Sequence, residues 1–276
     1  MREILGSGRR FTWPLGLLKS LGRKRQDVDR DRSALREAAL TCAEQWHWPV
    51  LPGVGHDHDH AAGEAGRSGA PAAPAGRIGG GTRGDRRDRR DRRTGASGER
   101  RQRPCACPRP DCAVPGAHPH DPGLLAATTD HRMVQWWWTR RPDAPLLLAT
   151  GDPVSAVSLP ATAGARVLEA LEDLGVRLGP VVATPTRTVL LVAPYSMEEL
   201  GDLLSRHEWV PSSLRYHGTG GYVVLPPSRT GGGTVCWARD PQPGADGTPY
   251  LPDIAVIVDM LVAAGVSAPD GHRLSY

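Results

Sequence analysis

The sequence predicts an α+β domain, a mixed sheet with flanking helices, interrupted by a disordered insertion. Three observations predict it. Apolar residues recur at helical spacing in separate stretches, as at Leu35, Ala39, Cys42 and Trp46. Short β-branched runs such as Val181–Thr184 and Val189–Val192 are joined by turn residues. Residues 54–103 hold almost no large apolar side chain beyond Ile78 and cannot build a core of their own. The expected organisation is a basic N-terminal extension at 1–32 and one domain at 33–276. The domain carries the insertion at 54–103 and a Cys-rich loop at 104–120.

Asp31 to Trp46 reads as the first helix, and Trp48 to Leu51 as a short strand stopped by Pro52-Gly53. The insertion follows, with alternating His56, His58 and His60 and the Asp-Arg-Arg repeat of Asp85 to Arg93. Its composition reads as a solvated linker whose arginines touch phosphates at most loosely. Asp130 is the expected N-cap of a helix carrying Met133, Val134, Trp137 and Trp138. Of the three tryptophans at 136–138, two are expected in the core and one outside, where base stacking competes with edge packing. Leu146–Ala149 and Val154–Leu159 are strands around the turn Thr150-Gly-Asp-Pro153. A helix over Ala163–Leu174 places Val167, Leu168, Leu171 and Leu174 on one face, with Gly175 as its stop.

Pro185 to Thr188 joins one hairpin. Ser196 and Glu199 form a capping box opening a helix with Leu200, Leu203 and Leu204 inside. Leu214–His217 and Tyr222–Leu225 flank Gly218-Thr-Gly-Gly221 and read as a second hairpin. Val235–Arg239 is a further strand. Pro252 lies near the first turn of a last helix with Ile254, Val258, Leu261 and Val262 inward.

The net charge of +4 and a pI near 9.0 fit a nucleic-acid partner without demanding one. Lys19 and Lys24 are the only lysines among the 34 basic residues. The arginine excess therefore also fits a GC-rich coding bias. No apolar run reaches the roughly 18 residues that span a membrane. The stretch Phe11–Leu21 is broken by Pro14 and Lys19, which argues against a secretory signal. It leaves a basic segment that could dock on the domain, an anionic surface or a protein partner. Five cysteines, three of them clustered, argue against a disulfide framework and for a reduced, cytoplasmic setting, with nucleoid association compatible.

Cys105, Cys107, Cys112 and His118 form a Cys-x-Cys-x4-Cys-x5-His set. Three thiolates and one imidazole can close a tetrahedral zinc site, and four protein ligands make such a site structural. Pro108, Pro110, Pro115 and Gly116 supply the turns between them, and His120 is a substitute ligand. Free thiols in a polar loop are the alternative.

Several segments together resemble the bifunctional DNA primase/polymerase N-terminal domain. They are Ala38 to Pro52, then the Cys105–Pro119 loop, then Ala127-Thr-Thr-Asp130 with Trp136 and Trp137. Arg141-Pro-Asp-Ala144 through Ala149-Thr-Gly151 and Gly220-Gly-Tyr-Val-Val-Leu-Pro-Pro-Ser228 complete the set. The likeness covers most of residues 33–240 outside the insertion. It implies the archaeo-eukaryotic primase fold and phosphoryl transfer with two divalent metals. It also implies an Asp-x-Asp pair after the Ala-Thr-Gly turn, a His on the next hairpin and an acid before the late Gly-Gly-Tyr strand. Here Ser155 and Ser158 stand in the first place, Val189 marks the second without a His, and Arg215 lies near the third. Neutral hydroxyls and an arginine do not hold hard dications. Catalytic Mg²⁺ or Mn²⁺ is therefore not expected.

The resemblance places Arg187, Arg215, His217, Tyr222 and Arg229 around the family's nucleotide cleft, where arginine could hold phosphate without metal. The leading expectation is a primase/polymerase-like protein that binds DNA or nucleotide without polymerising. One alternative is an active, divergent enzyme using Asp152, Glu169 or Asp240. The other is a protein-interaction module with no nucleic-acid role.

Overall fold

The computed structural model describes residues 15–55, 105–109 and 112–266. His56, His58, His60 and the Asp-Arg-Arg repeat lie outside the described residues. Helix α1 spans Leu15–Leu40, beginning well before the expected Asp31. The sequence explains the difference: no proline occurs between Pro14 and Pro49, so nothing breaks the helix once begun. Its middle has no core face. Gln26–Asp31 are exposed, and the pairs Asp27–Arg30 and Asp29–Arg32 sit one turn apart on the surface. From Leu35 onward the apolar stripe is buried as expected. The helix ends in a π-helical turn over Thr41–Gln45, with Trp46 N–H donating to the Thr41 carbonyl at 3.2 Å. His47 then takes a left-handed φ of 55°, and Trp48 N–H reaches back to the Cys42 carbonyl at 2.8 Å.

The strands are β1 (Val50–Pro52), β2 (Leu146–Thr150), β3 (Ser155–Pro160), β4 (Val181–Ala183), β5 (Arg187–Val192), β6 (Arg215–His217), β7 (Gly221–Val224), β8 (Arg229–Thr230), β9 (Gly233–Thr234) and β10 (Cys236–Arg239). They form a three-stranded sheet in the order β1-β2-β7, a five-stranded sheet in the order β10-β4-β5-β3-β6, and the small β8-β9 pair. The α+β class holds, and every ladder among the described residues is antiparallel, so helices mix with strands but strand directions do not.

The remaining helices are α2 (His131–Arg140), α3 (Ala161–Asp173), α4 (Met197–Leu204) and α5 (Ile254–Val266). Asp130 caps α2 by accepting from Met133 N–H at 3.0 Å, and the Ser196–Glu199 capping box opens α4. Gly175, at φ 68°, ends α3, and Val176 N–H bonds back to the Leu171 carbonyl. That reversal turns Leu174 out to solvent at 67% exposure, so it does not share the buried face of Val167 and Leu171. Gly164 lets α3 lie directly on β5: a Cβ there would stand 2.2 Å from Thr188 Cβ.

The five-stranded sheet separates two cores by its pleat. Val157, Leu159, Leu190 and Val192 point to one side, against α3, α4 and α5. Ala156, Val189 and Leu191 point to the other, into the core shared with Trp48, Val134, Trp138 and Leu146–Leu148. One expected pairing is wrong. β6 and β7 do not form a hairpin ladder: β6 pairs with β3, and β7 pairs with β2. Gly218–Gly221 carries the chain from one sheet to the other, closed by Gly221 N–H to the Gly218 carbonyl at 3.0 Å. Thr150 Oγ1 pins the turn by donating to the Gly218 carbonyl at 2.8 Å.

Candidate functional site

The second face of the five-stranded sheet leaves the core where the two sheets diverge. Alternation then dictates its surface: Ser158 on β3, Arg187 and Val189 on β5, and Arg215 and His217 on β6 all point the same way. The register confirms the grouping, with Ser158 opposite both Val189 and Arg215. These five line a cleft of about 550 Å³, closed on the other sheet by Gly221 and Tyr222 and on a third side by Cys112–Pro115 and Ala117. Among the described residues lining it there is no Asp or Glu.

A chain of hydrogen bonds crosses the cleft floor. Arg187 Nε donates to Ser158 Oγ at 3.0 Å, and Ser158 Oγ lies 3.0 Å from His217 Nε2. A guanidinium can only donate, so the Ser158 hydroxyl is free to donate onward to His217. Burial, reinforced by the charges of Arg187 and Arg215, lowers the His217 pKa to about 4. The imidazole is therefore neutral at pH 7, and its Nε2 can accept the Ser158 hydroxyl proton. Arg187 also donates from Nη2 to the carbonyls of Ser158 and Ser213, both at 2.7 Å. Burial and then the neighbouring Arg215 bring Arg187 down to about 10, which still leaves it charged at neutral pH. Carbonyls orient that charge without cancelling it. Arg215 is exposed.

The other expected site residues fall differently. Ser155 is fully buried and donates to the Gly151 carbonyl at 3.2 Å, a structural role away from the cleft. Arg229 is exposed on β8 and does not line the cleft; its neighbour Thr230 does. Tyr222 does line it, its phenol pushed up by burial and then by Cys112. Asp152, Glu169 and Asp240 are exposed, and none lines the cleft.

The Cys-rich loop builds the third wall. Cys105, Cys107, Cys112 and His118 present ligand atoms that all lie within 4.8 Å of one another, a group that could hold a metal ion. Cys105 Sγ and His118 Nε2 are 3.4 Å apart. His118 Nδ1 lies 3.0 Å from the Pro119 carbonyl; donating there leaves Nε2 bare toward the cysteines, as a ligating imidazole requires. Burial, and then Cys105 and Cys107, push the Cys112 thiol up to about 11. Three thiols this close resist ionising together unless a cation neutralises them, so the donor set fits a thiophilic dication.

The loop is anchored outside the metal group as well. Val54 N–H donates to the His118 carbonyl at 3.0 Å, Gly55 N–H to the Gly116 carbonyl at 3.3 Å, and Ala106 N–H to the Gly55 carbonyl at 3.3 Å. Val54 and Gly55 are therefore part of the fold and not of the insertion expected to start there. Arg141 reaches the carbonyls of Gly53 and Val54 with Nη2, at 2.7 and 3.2 Å, and that of Asp121 with Nη1. Gly231 N–H donates to the Pro115 carbonyl at 3.2 Å. The loop's place beside the cleft is the functional feature the sequence did not disclose, because these contacts join residues far apart in the chain. No described helix is long and apolar enough to cross a membrane.

The family model described as bifunctional DNA primase/polymerase, N-terminal, matches residues 39–253. No curated protein and no solved structure matches the chain significantly.

Proposed function

The chain belongs to the bifunctional DNA primase/polymerase N-terminal domain family, and from that premise we propose that it binds nucleotide or single-stranded nucleic acid phosphate in a metal-independent cleft and does not polymerise. One observation carries this reading. The cleft presents Arg187 and Arg215 with no carboxylate among the described lining residues. Two-metal phosphoryl transfer needs anionic oxygens to hold the dications, and Ser158, Val189 and His217 supply none. Two guanidiniums beside a neutral imidazole favour an anion instead. Arg187, braced by three hydrogen bonds, is the preorganised donor. Arg215 is the adaptable one. Zinc is the metal assigned to Cys105, Cys107, Cys112 and His118, where it would cross-link the loop and hold Cys112–Ala117 against the cleft; its role is structural.

The test is equilibrium binding of a labelled single-stranded oligonucleotide and of a nucleoside triphosphate at low salt, beside a templated primer-synthesis assay with Mg²⁺ or Mn²⁺. We expect salt-sensitive binding and no primer product. Arg215→Ala should weaken binding about tenfold and flatten the logarithmic salt dependence by about one phosphate contact. Failure of the wild-type protein to bind any of these ligands at low salt would refute the binding role. Synthesis of primers would refute the non-catalytic one.

A further inference from the structure

Helix α2 has an outward face that the cleft does not use. Trp137 and Trp138 are buried, and Trp138 Nε1 donates to the Ala144 carbonyl at 3.0 Å. Trp136 is 54% exposed. Arg132, Trp136 and Arg140 recur at intervals of four residues, so they form one exposed stripe with steps of about 6 Å. The Arg140 guanidinium lies over the Trp136 ring, 5.6 Å from its centroid. The ring borders a groove of about 640 Å³ that also involves Met133, Arg132, Asp130, Ala126 and Thr128. Met133 is exposed.

We propose that this face is a second contact site for single-stranded nucleic acid, with Trp136 stacking a base and Arg132 and Arg140 holding the flanking phosphates. Charge decides the occupant. The helix sequence HRMVQWWWTR contains no acidic residue. Asp130, the nearest carboxylate in sequence, is engaged in capping Met133 N–H. Arg132 faces the Asp130 carboxylate, which the Met133 N–H and, to a lesser degree, the Arg132 charge hold below the usual carboxylate range, whereas Arg140 lies against the Trp136 ring. An apolar protein interface gains little from two guanidiniums bracketing its exposed tryptophan. A nucleic-acid strand offers both complements, an apolar base face and a phosphate on either side. Met133 extends the apolar contact around the base. The proposal rests on the cleft reading only in sharing its ligand class, since α2 and the cleft have no residue in common.

The experiment compares Trp136→Ala, Trp136→Phe, the double variant Arg132→Ala/Arg140→Ala, and Arg215→Ala. Each is titrated with single-stranded homopolymers of increasing length and with a nucleoside triphosphate, and each is checked for folding by its thermal melt. Trp136→Ala should lower affinity for the longer strands about tenfold, and Trp136→Phe should retain most of it. The arginine double variant should reduce the salt dependence. Triphosphate binding should not change in any of these three. Unchanged strand affinity in Trp136→Ala overturns the site. So does an equal loss for triphosphate, which would make the ring a support for the fold. Unchanged strand binding with altered sedimentation would assign the face to a protein contact and also overturn it. Loss in Arg215→Ala alone removes the stacking site and leaves the cleft. Loss in Trp136→Ala alone removes the cleft reading and leaves the stacking site.

Discussion

At the scale of single residues, His217 reports on the cleft. Its neighbours Arg187 and Arg215, together with burial, oppose its protonation and lower its pKa to about 4 from 6.5. The unfolded chain takes up this proton first as the pH falls. Stability from neutral His217 is therefore complete above about pH 6.5 and is lost progressively down to about pH 4, by up to about 3 kcal/mol. Denaturant titrations between pH 7 and 4 should show that decline, and His217→Gln should remove this component of it. A bound phosphate offsets the arginines, so cleft ligands should bind more tightly at pH 5.5 than at pH 7.5. The composition of this face was legible in the sequence. Strand assignments over 154–159 and 189–192 and the two-residue period put Ser158 and Val189 on strands, whereas Arg187, expected in the turn, opens β5. Arg229, placed near the cleft by the resemblance, lies exposed on β8 outside the cleft lining.

At the scale of elements, the Cys-rich loop joins a candidate metal-ligand group to a cleft wall. Cys112 belongs to both. Purified protein should carry about one zinc per chain by elemental analysis, the four-ligand complement of one tetrahedral ion. Cys107→Ser should lose most of it. Chelation should also weaken nucleotide binding several-fold, because Cys112–Ala117 would lose their internal cross-link while only backbone bonds such as Gly231 to Pro115 remain. Undiminished affinity after complete chelation would show that the wall stands without the metal. The clustering of Cys105, Cys107, Cys112 and His118 was legible from residue type and spacing, whereas the neighbours of the loop were not. The same limit explains the β6–β7 error. Local turn chemistry at Gly218–Gly221 identifies a reversal, but strand partners depend on which sheet edge lies open, and that is settled by residues far earlier in the chain, in β2 and β3. Helix ends were clearer, since Asp130, Gly175 and the Ser196–Glu199 box act within a turn of themselves.

At the scale of the whole molecule, the two cores share one sheet as a party wall, and the cleft opens where that wall emerges between them. The α+β class could be read from alternating helical and strand periods, but the division into two sheets could not. Gly55 and Ala106 are hydrogen-bonded to each other across the whole intervening segment. Before that junction the chain has already delivered Leu35, Ala39, Cys42, Trp48, Val50 and Leu51 to the first core. The polypeptide is thus divisible: a backbone break between Gly55 and Cys105 cuts no strand ladder and no described helix. Coexpressed pieces ending near Gly55 and starting near Pro104 should assemble into one noncovalent complex, co-eluting on size exclusion and melting in a single transition. Pieces that elute separately would mean that covalent continuity, and not the buried surface of β1 and α1, holds the halves together.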